Sequence, residues 1–165
     1  MDLKIARLSL WLDRFEKGAV TALLGTMIVV VFLQVFFRFV IKGSLPWSEE
    51  LSRYIMVWAV FFGASMGAKS GAHIGVEVFV NLFPPNVRRA MTIVSGLLTQ
   101  TFCVMVLVLS LQVVFSIYEM GQVSPAMEIP MYIPYLAVPV GAVMMSIRFM
   151  QATYAKWKKE GEVDL

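Results

Sequence analysis

One cysteine, one histidine and few charges set the first limits on this chain of 165 residues. A single thiol, Cys103, cannot close an internal disulfide or build a metal cage. It lies in the middle of an apolar run and reads as a small packing residue. His73 alone cannot supply the two axial ligands of a haem held across a bundle, or the three or four ligands of a zinc site. No nucleophile stands beside a base, and no glycine-rich phosphate loop appears. Charged residues make up 15% of the chain, against about 25% in soluble proteins. No carboxylate falls at mid-depth in any apolar run, which speaks against a proton relay or a self-contained solute pathway. The net charge of +3 is not a nucleic-acid footprint, because the basic residues flank apolar runs instead of forming a patch with interleaved aromatics. The expectation is a protein without catalysis, metal, cofactor or nucleic-acid partner.

What is abundant is apolar surface, at 59% of residues. A chain this short cannot hide that surface inside one globule, so the excess must face lipid. A spanning helix needs about 20 mostly apolar residues, and four stretches qualify: 19–40, 49–69, 90–118 and 131–152. The third exceeds the need, so it should tilt or project beyond the bilayer. The fold class is therefore all-α, a single polytopic membrane domain with four transmembrane helices. Residues 2–16 read as an amphipathic helix lying in the headgroup plane: Ile5, Leu8, Leu12 and Phe15 recur every three or four residues, with Lys4, Arg7 and Arg14 off that stripe. Leu3 and Leu10 interrupt it, and a partly ordered tail is the alternative. The acids Asp2, Asp13 and Glu16, and the length of the following apolar run, argue against a cleaved signal peptide.

Orientation follows the lysines and arginines. Lys4, Arg7, Arg14, Lys17, Lys69, Arg88, Arg89, Arg148, Lys156, Lys158 and Lys159 fall on one side, leaving only Arg38, Lys42 and Arg53 for the other. Both termini should be cytoplasmic. Trp11, Tyr154 and Trp157 suit the inner interface and Trp47 the outer one.

The densest polar cluster opens the second span, Trp47-Ser48-Glu49-Glu50-Leu51-Ser52-Arg53-Tyr54. Ser48 is placed as an N-cap, and Arg53 stands within pairing distance along the helix of both Glu49 and Glu50. The cluster is either a helix start at headgroup level or a set of charges placed to meet a partner. Along the same helix Ala59, Gly63, Gly67 and Gly71 recur every four residues, a spacing that lets two helix backbones approach closely in lipid. The neighbour could be internal or on another chain. Between spans two and three, residues 74–83 read as a short amphipathic cytoplasmic helix stopped by Pro84-Pro85, where His73 and Glu77 most simply form a structural hydrogen bond. The loop before span four carries Ser124, Pro125, Glu128, Pro130 and Pro134, two acids (Glu119 and Glu128) and no base. It is either a docking face or a tight turn.

At these residues the chain resembles a known family, the small membrane subunit of tripartite ATP-independent periplasmic (TRAP) transporters, called DctQ-like. The resemblance covers about 38–149. It rests on Arg38 at the end of span one, Trp47-Ser48-Glu49-Glu50 with Arg53-Tyr54, and His73-Ile74 with Glu77. It continues through Ser124-Pro125, Ile129-Pro130-Met131, Tyr135 and Pro139-Val140-Gly141. Glu77 stands where the family more often has aspartate, and Glu128 where it often has a small or apolar residue. The resemblance implies a multi-pass protein of the bacterial inner membrane, bound to a large permease subunit that holds the substrate and sodium sites. It also implies transient contact with a periplasmic binding protein that delivers an organic acid, and a bracing role with membrane phospholipid around it. Together with the glycine spacing, it offers Arg38, Trp47, Glu49, Glu50, Arg53, Gly63, Gly67, His73, Glu77, Ser124, Pro125 and Pro130 for the partner interface. The competing readings are a self-sufficient four-helix transporter or channel, and a membrane-anchored enzyme or redox subunit. The first lacks an ionisable group at mid-depth, and the second lacks ligands.

Overall fold

Between Asp2 and Leu45 the chain contains no proline, and isolated glycines such as Gly18 and Gly25 weaken a helix without breaking it. The structure, a computed structural model describing residues 2–69 and 84–163, accordingly has one unbroken helix, α1, over Asp2–Phe36. The separate surface helix expected over 2–16 is therefore not a distinct element. Its second half runs straight into the span, which by length and composition extends from Ser9 to Ile41. A single π turn, Phe37–Ile41, widens the end of α1. Lys42, in the left-handed region at φ 55°, and Gly43 then close it, with both backbone N–H groups directed at the carbonyl of Phe37.

Helix α2 covers Pro46–Lys69 and starts earlier than the sequence suggests. Proline is favoured in a first turn because its missing N–H would have had no helical partner there. Ser48 consequently sits inside the helix instead of capping it, and its Oγ donates to the carbonyl of Leu45 at 2.7 Å. Helix α3, Pro85–Glu119, likewise begins on a proline. At 35 residues it measures about 52 Å, well beyond the roughly 30 Å of a hydrocarbon core. A short helix α4, Tyr132–Tyr135, leads into α5, Ala137–Val163. The loop helix expected over 74–83, with His73, Glu77 and Gly71, lies outside the described residues.

Four helices are long and apolar enough to cross a membrane, and no strand occurs among the described residues. Their packing order is not their chain order. α1 packs on α2, α2 on α5 and α5 on α3, so α2 and α5 each have two neighbours and α1 and α3 are the ends of a row. Large side chains such as Ile28, Phe32, Phe39, Leu97, Leu98 and Phe102 stay exposed, as lipid-facing residues do.

Two lone glycines allow the closest approaches. A methyl group added at Gly141 of α5 would lie 2.5 Å from Cδ1 and 2.6 Å from Cβ of Phe61 in α2. One added at Gly96 of α3 would lie 2.8 Å from Cγ2 of Thr153 in α5. One turn beyond Gly96, Gln100 donates to Ser146 Oγ at 2.5 Å, joining α3 to α5 near the middle of both spans. Cys103 is buried next to this junction as a packing residue.

Candidate functional site

Helix α2 divides into two faces. Ile55, Ala59, Phe62, Ser65 and Ala68 recur at three- and four-residue spacing and are buried against α1 and α5. Glu49, Arg53, Met56, Val60, Gly63 and Gly67 recur at the same spacing on the other side; all are exposed except Gly67, which is half-buried. A Cβ added at Gly63 or Gly67 would touch nothing within 4 Å among the described residues. Of the spacing that the sequence marks for close packing, Ala59 lies on the buried face, whereas the Gly63 and Gly67 pair makes no close approach among the described residues. It belongs to an open stripe, charged at one end and backbone-bare at the other.

Each end of α2 is fixed by a polar clamp. At the first end, Glu50 is buried despite its charge. Its carboxylate accepts hydrogen bonds from the Tyr54 hydroxyl and, at 2.9 Å, from the backbone N–H of Ala126. The Tyr54 hydroxyl also lies 3.1 Å from Sδ of Met131. Residues 122–131 form a tight hairpin with an isolated antiparallel bridge between Val123 and Pro130. The Ser124 N–H donates to Ile129 O at 2.8 Å, the Met131 N–H to Gln122 O at 2.9 Å, and the Met127 N–H to Ser124 Oγ at 3.2 Å. Glu128 adopts φ 55°, a left-handed conformation that its turn demands. The loop is thus a tight turn, anchored on α2 by Glu50.

The anchor gives a direct expectation. Glu50→Ala removes the acceptor of the Ala126 N–H and with it the tie that holds the hairpin on α2. Hydrogen exchange should speed up across 124–131 while the helices keep their protection. Glu49→Ala, one residue away and exposed, should leave both unchanged.

The second clamp lies at the other end and involves three helices. Arg148 of α5 is 0% exposed and Glu16 of α1 is 1% exposed. The guanidinium faces Glu16 side-on, through Nε at 3.2 Å to Oε1 and through Nη2 to Oε2. Nη2 also lies 2.8 Å from Oδ1 of Asp13, and Nη1 donates to Gln151 at 3.4 Å. Ser65 Oγ of α2 donates to Glu16 Oε1 at 2.7 Å, and Lys69 pairs with Asp13. Two acids and two bases balance, as buried charge in an apolar medium requires. A short aromatic ladder runs beside the clamp: Trp11 stacks on Phe15, Phe15 meets Phe62 edge-on at 6.0 Å, and Phe62 meets Trp58 at 5.7 Å.

The residues picked out by sequence thus scatter into distinct settings. Glu50 and Ser124 meet in the first clamp. Glu49, Arg53, Gly63 and Gly67 share the open stripe. Trp47 is partly exposed, Arg38 is exposed on the π turn, and Pro125 and Pro130 are exposed on the hairpin. His73 and Glu77 lie outside the described residues. Among the described residues no ion pair joins Arg53 to Glu49 or Glu50. Sequence reasoning missed Asp13, Glu16, Ser65, Lys69 and Arg148 as a set. The available signal was an arginine inside the apolar run Met144–Met150 together with two acids three residues apart near the start of α1. Among the described residues no three histidine, cysteine or acidic side chains converge as metal ligands would.

The comparisons with known proteins agree on one family. The model for tripartite ATP-independent periplasmic transporters, DctQ component, matches residues 27–159. The C4-dicarboxylate TRAP transporter small permease protein DctQ of Rhodobacter capsulatus is 28% identical, over 92% of this chain and 80% of its own length. The isethionate TRAP transporter permease protein DctMQ of Oleidesulfovibrio alaskensis is 28% identical over 86% of this chain but only 23% of its own length. The ectoine TRAP transporter small permease protein TeaB of Halomonas elongata is 28% identical over 68% of this chain and 58% of its own length.

Proposed function

Because this chain belongs to the family of DctQ components of tripartite ATP-independent periplasmic transporters, we propose that it braces a large permease subunit during sodium-coupled uptake of an organic acid. In this reading it is a transporter component without catalysis of its own. It sits in the bacterial inner membrane with the Arg148 end of the row cytoplasmic and the Glu50 end periplasmic, in line with the distribution of lysine and arginine. A periplasmic binding protein delivers the solute and makes transient contact near the 122–131 hairpin. Membrane phospholipid fills the seams the two subunits leave.

The observation that carries the proposal is the open stripe of α2. In lipid, apolar surface alone gives helices little reason to associate, and small residues that admit another backbone supply much of the contact. A stripe ending in Gly63 and Gly67, with Glu49 and Arg53 at its head, suits a partner helix better than acyl chains. The DctMQ relative, in which a stretch similar to this chain is under a quarter of a longer permease polypeptide, supports a permanent neighbour of this kind. Bracing also suits the clamps, which fix both ends of α2 and leave its outer face free. The three relatives carry three different solutes in their names at the same 28% identity, which favours a role for this chain that does not select the solute.

The test is to purify the tagged chain from native membranes and to reconstitute it with and without its partners. The expected result is co-purification of a large membrane protein, with sodium-dependent uptake only when permease, binding protein and this chain are combined. Solute flux through liposomes containing this chain alone would overturn the proposal.

A further inference from the structure

From the Arg148 clamp we infer a further role that stands on geometry within the chain and does not depend on the transport reading: Arg148 is the positioning residue that retains α1 in the row. Helix α1 is an end helix with one extensive neighbour, α2. Over Ser9–Ile41 its buried side chains are Glu16 and Val30. Packing of an apolar end helix gains little over packing against lipid tails, so its polar ties decide whether it stays. Among the described residues those ties all lie at one end: Glu16 to Ser65 and Arg148, and Asp13 to Arg148 and Lys69.

The dependence runs both ways. The two carboxylates that face Arg148 both come from α1, whereas its contact within α5 is the neutral Gln151. The nearby charge of α2 is Lys69, another cation, engaged with Asp13. If α1 left, a fully buried guanidinium would stand in apolar surroundings without a counter-charge, which is strongly unfavourable. Arg148 therefore reaches past α2 to make α1 obligatory, although α1 and α5 share no broad helix-to-helix packing. The last third of this span, from Val31 through the π turn to Ile41, has no buried side chain and follows wherever the clasp holds the rest.

The inference is tested on the full chain in lipid nanodiscs, with Cys103→Ala to remove the native thiol and paired spin labels at exposed positions. Leu24 with Val60 reports α1 against α2, and Val60 with Val143 reports α2 against α5. Arg148→Gln should add a longer-distance population to the first pair and leave the second unchanged. The displaced fraction should rise about fivefold or more, the shift that about 1 kcal/mol produces. Glu16→Gln should give the same pattern in milder form, and the exchange Glu16→Arg with Arg148→Glu should bring the α1 distances back toward the original. An unchanged first pair in both single variants overturns the inference. So does equal broadening of both pairs, or an exchange no better than either single variant.

Discussion

Replacing Gly141 with alanine should unseat α5 from α2 and lower the stability of the whole protein. The added methyl would collide with Cδ1, Cβ and Cγ of Phe61 at 2.5, 2.6 and 2.8 Å. Two of these atoms are the root of the ring, so no rotation of Phe61 clears the space and the helices must part. Overpacking of this kind costs about 1–3 kcal/mol, occasionally more. Because α5 is the central contact of both α2 and α3, the loss propagates to two junctions. Thermal unfolding in detergent should shift down markedly, with aggregated material replacing the monodisperse peak in size-exclusion chromatography. Phe61→Ala in the same chain should recover part of the loss, since it removes two of the three colliding atoms, Cδ1 and Cγ; a Gly141→Ala protein as stable as the original would show that the α2–α5 approach is looser than this geometry.

Leucine at Gly63 or Gly67 should have the opposite signature. Among the described residues no atom lies within 4 Å of an added Cβ at either position, so the isolated protein should unfold at its usual temperature. The proposed partner helix would be pushed away. Recovery of the large permease with the tagged chain should fall about tenfold or more, equivalent to about 1.4 kcal/mol in the association. Wild-type recovery with both variants would mean that the stripe faces lipid alone. The two glycine experiments together separate intramolecular from intermolecular packing without further structural work.

That contrast also marks how far the sequence could be read. The four spans are legible because each is a continuous apolar run of sufficient length, whereas the strands of a membrane barrel, the other structure that satisfies backbone in lipid, are short and alternate apolar with polar residues. The glycine spacing is legible as a motif, but its partner is not: a period of four says that a backbone can approach, and only the packing order says whose. The approaches the chain itself uses, at Gly141 and Gly96, fall on isolated glycines with no periodic signature. Glu50 looks from sequence like a helix-end charge paired with Arg53, because the residue that fixes its role, Ala126, is 76 positions away. Arg148 and Glu16, separated by 132 positions, are hidden for the same reason. The continuity of α1 through residue 16 follows in part from that pair: once Arg148 offers a buried counter-charge, Glu16 gains more inside the protein than in the headgroup plane.

The order of the row bears on how the molecule is made. Helix α5 follows α3 in the chain yet lies between α3 and α2. During synthesis the first three spans can enter the bilayer one by one, but α3 has no lasting place beside the others until the fourth arrives and wedges in. At that moment Gly141 meets Phe61, Gln100 finds Ser146 and Arg148 finds the acids of α1. A ribosome stalled before Ala137 would therefore leave α3 without a neighbour beside the α1–α2 pair, and the row closes only once α5 is in place.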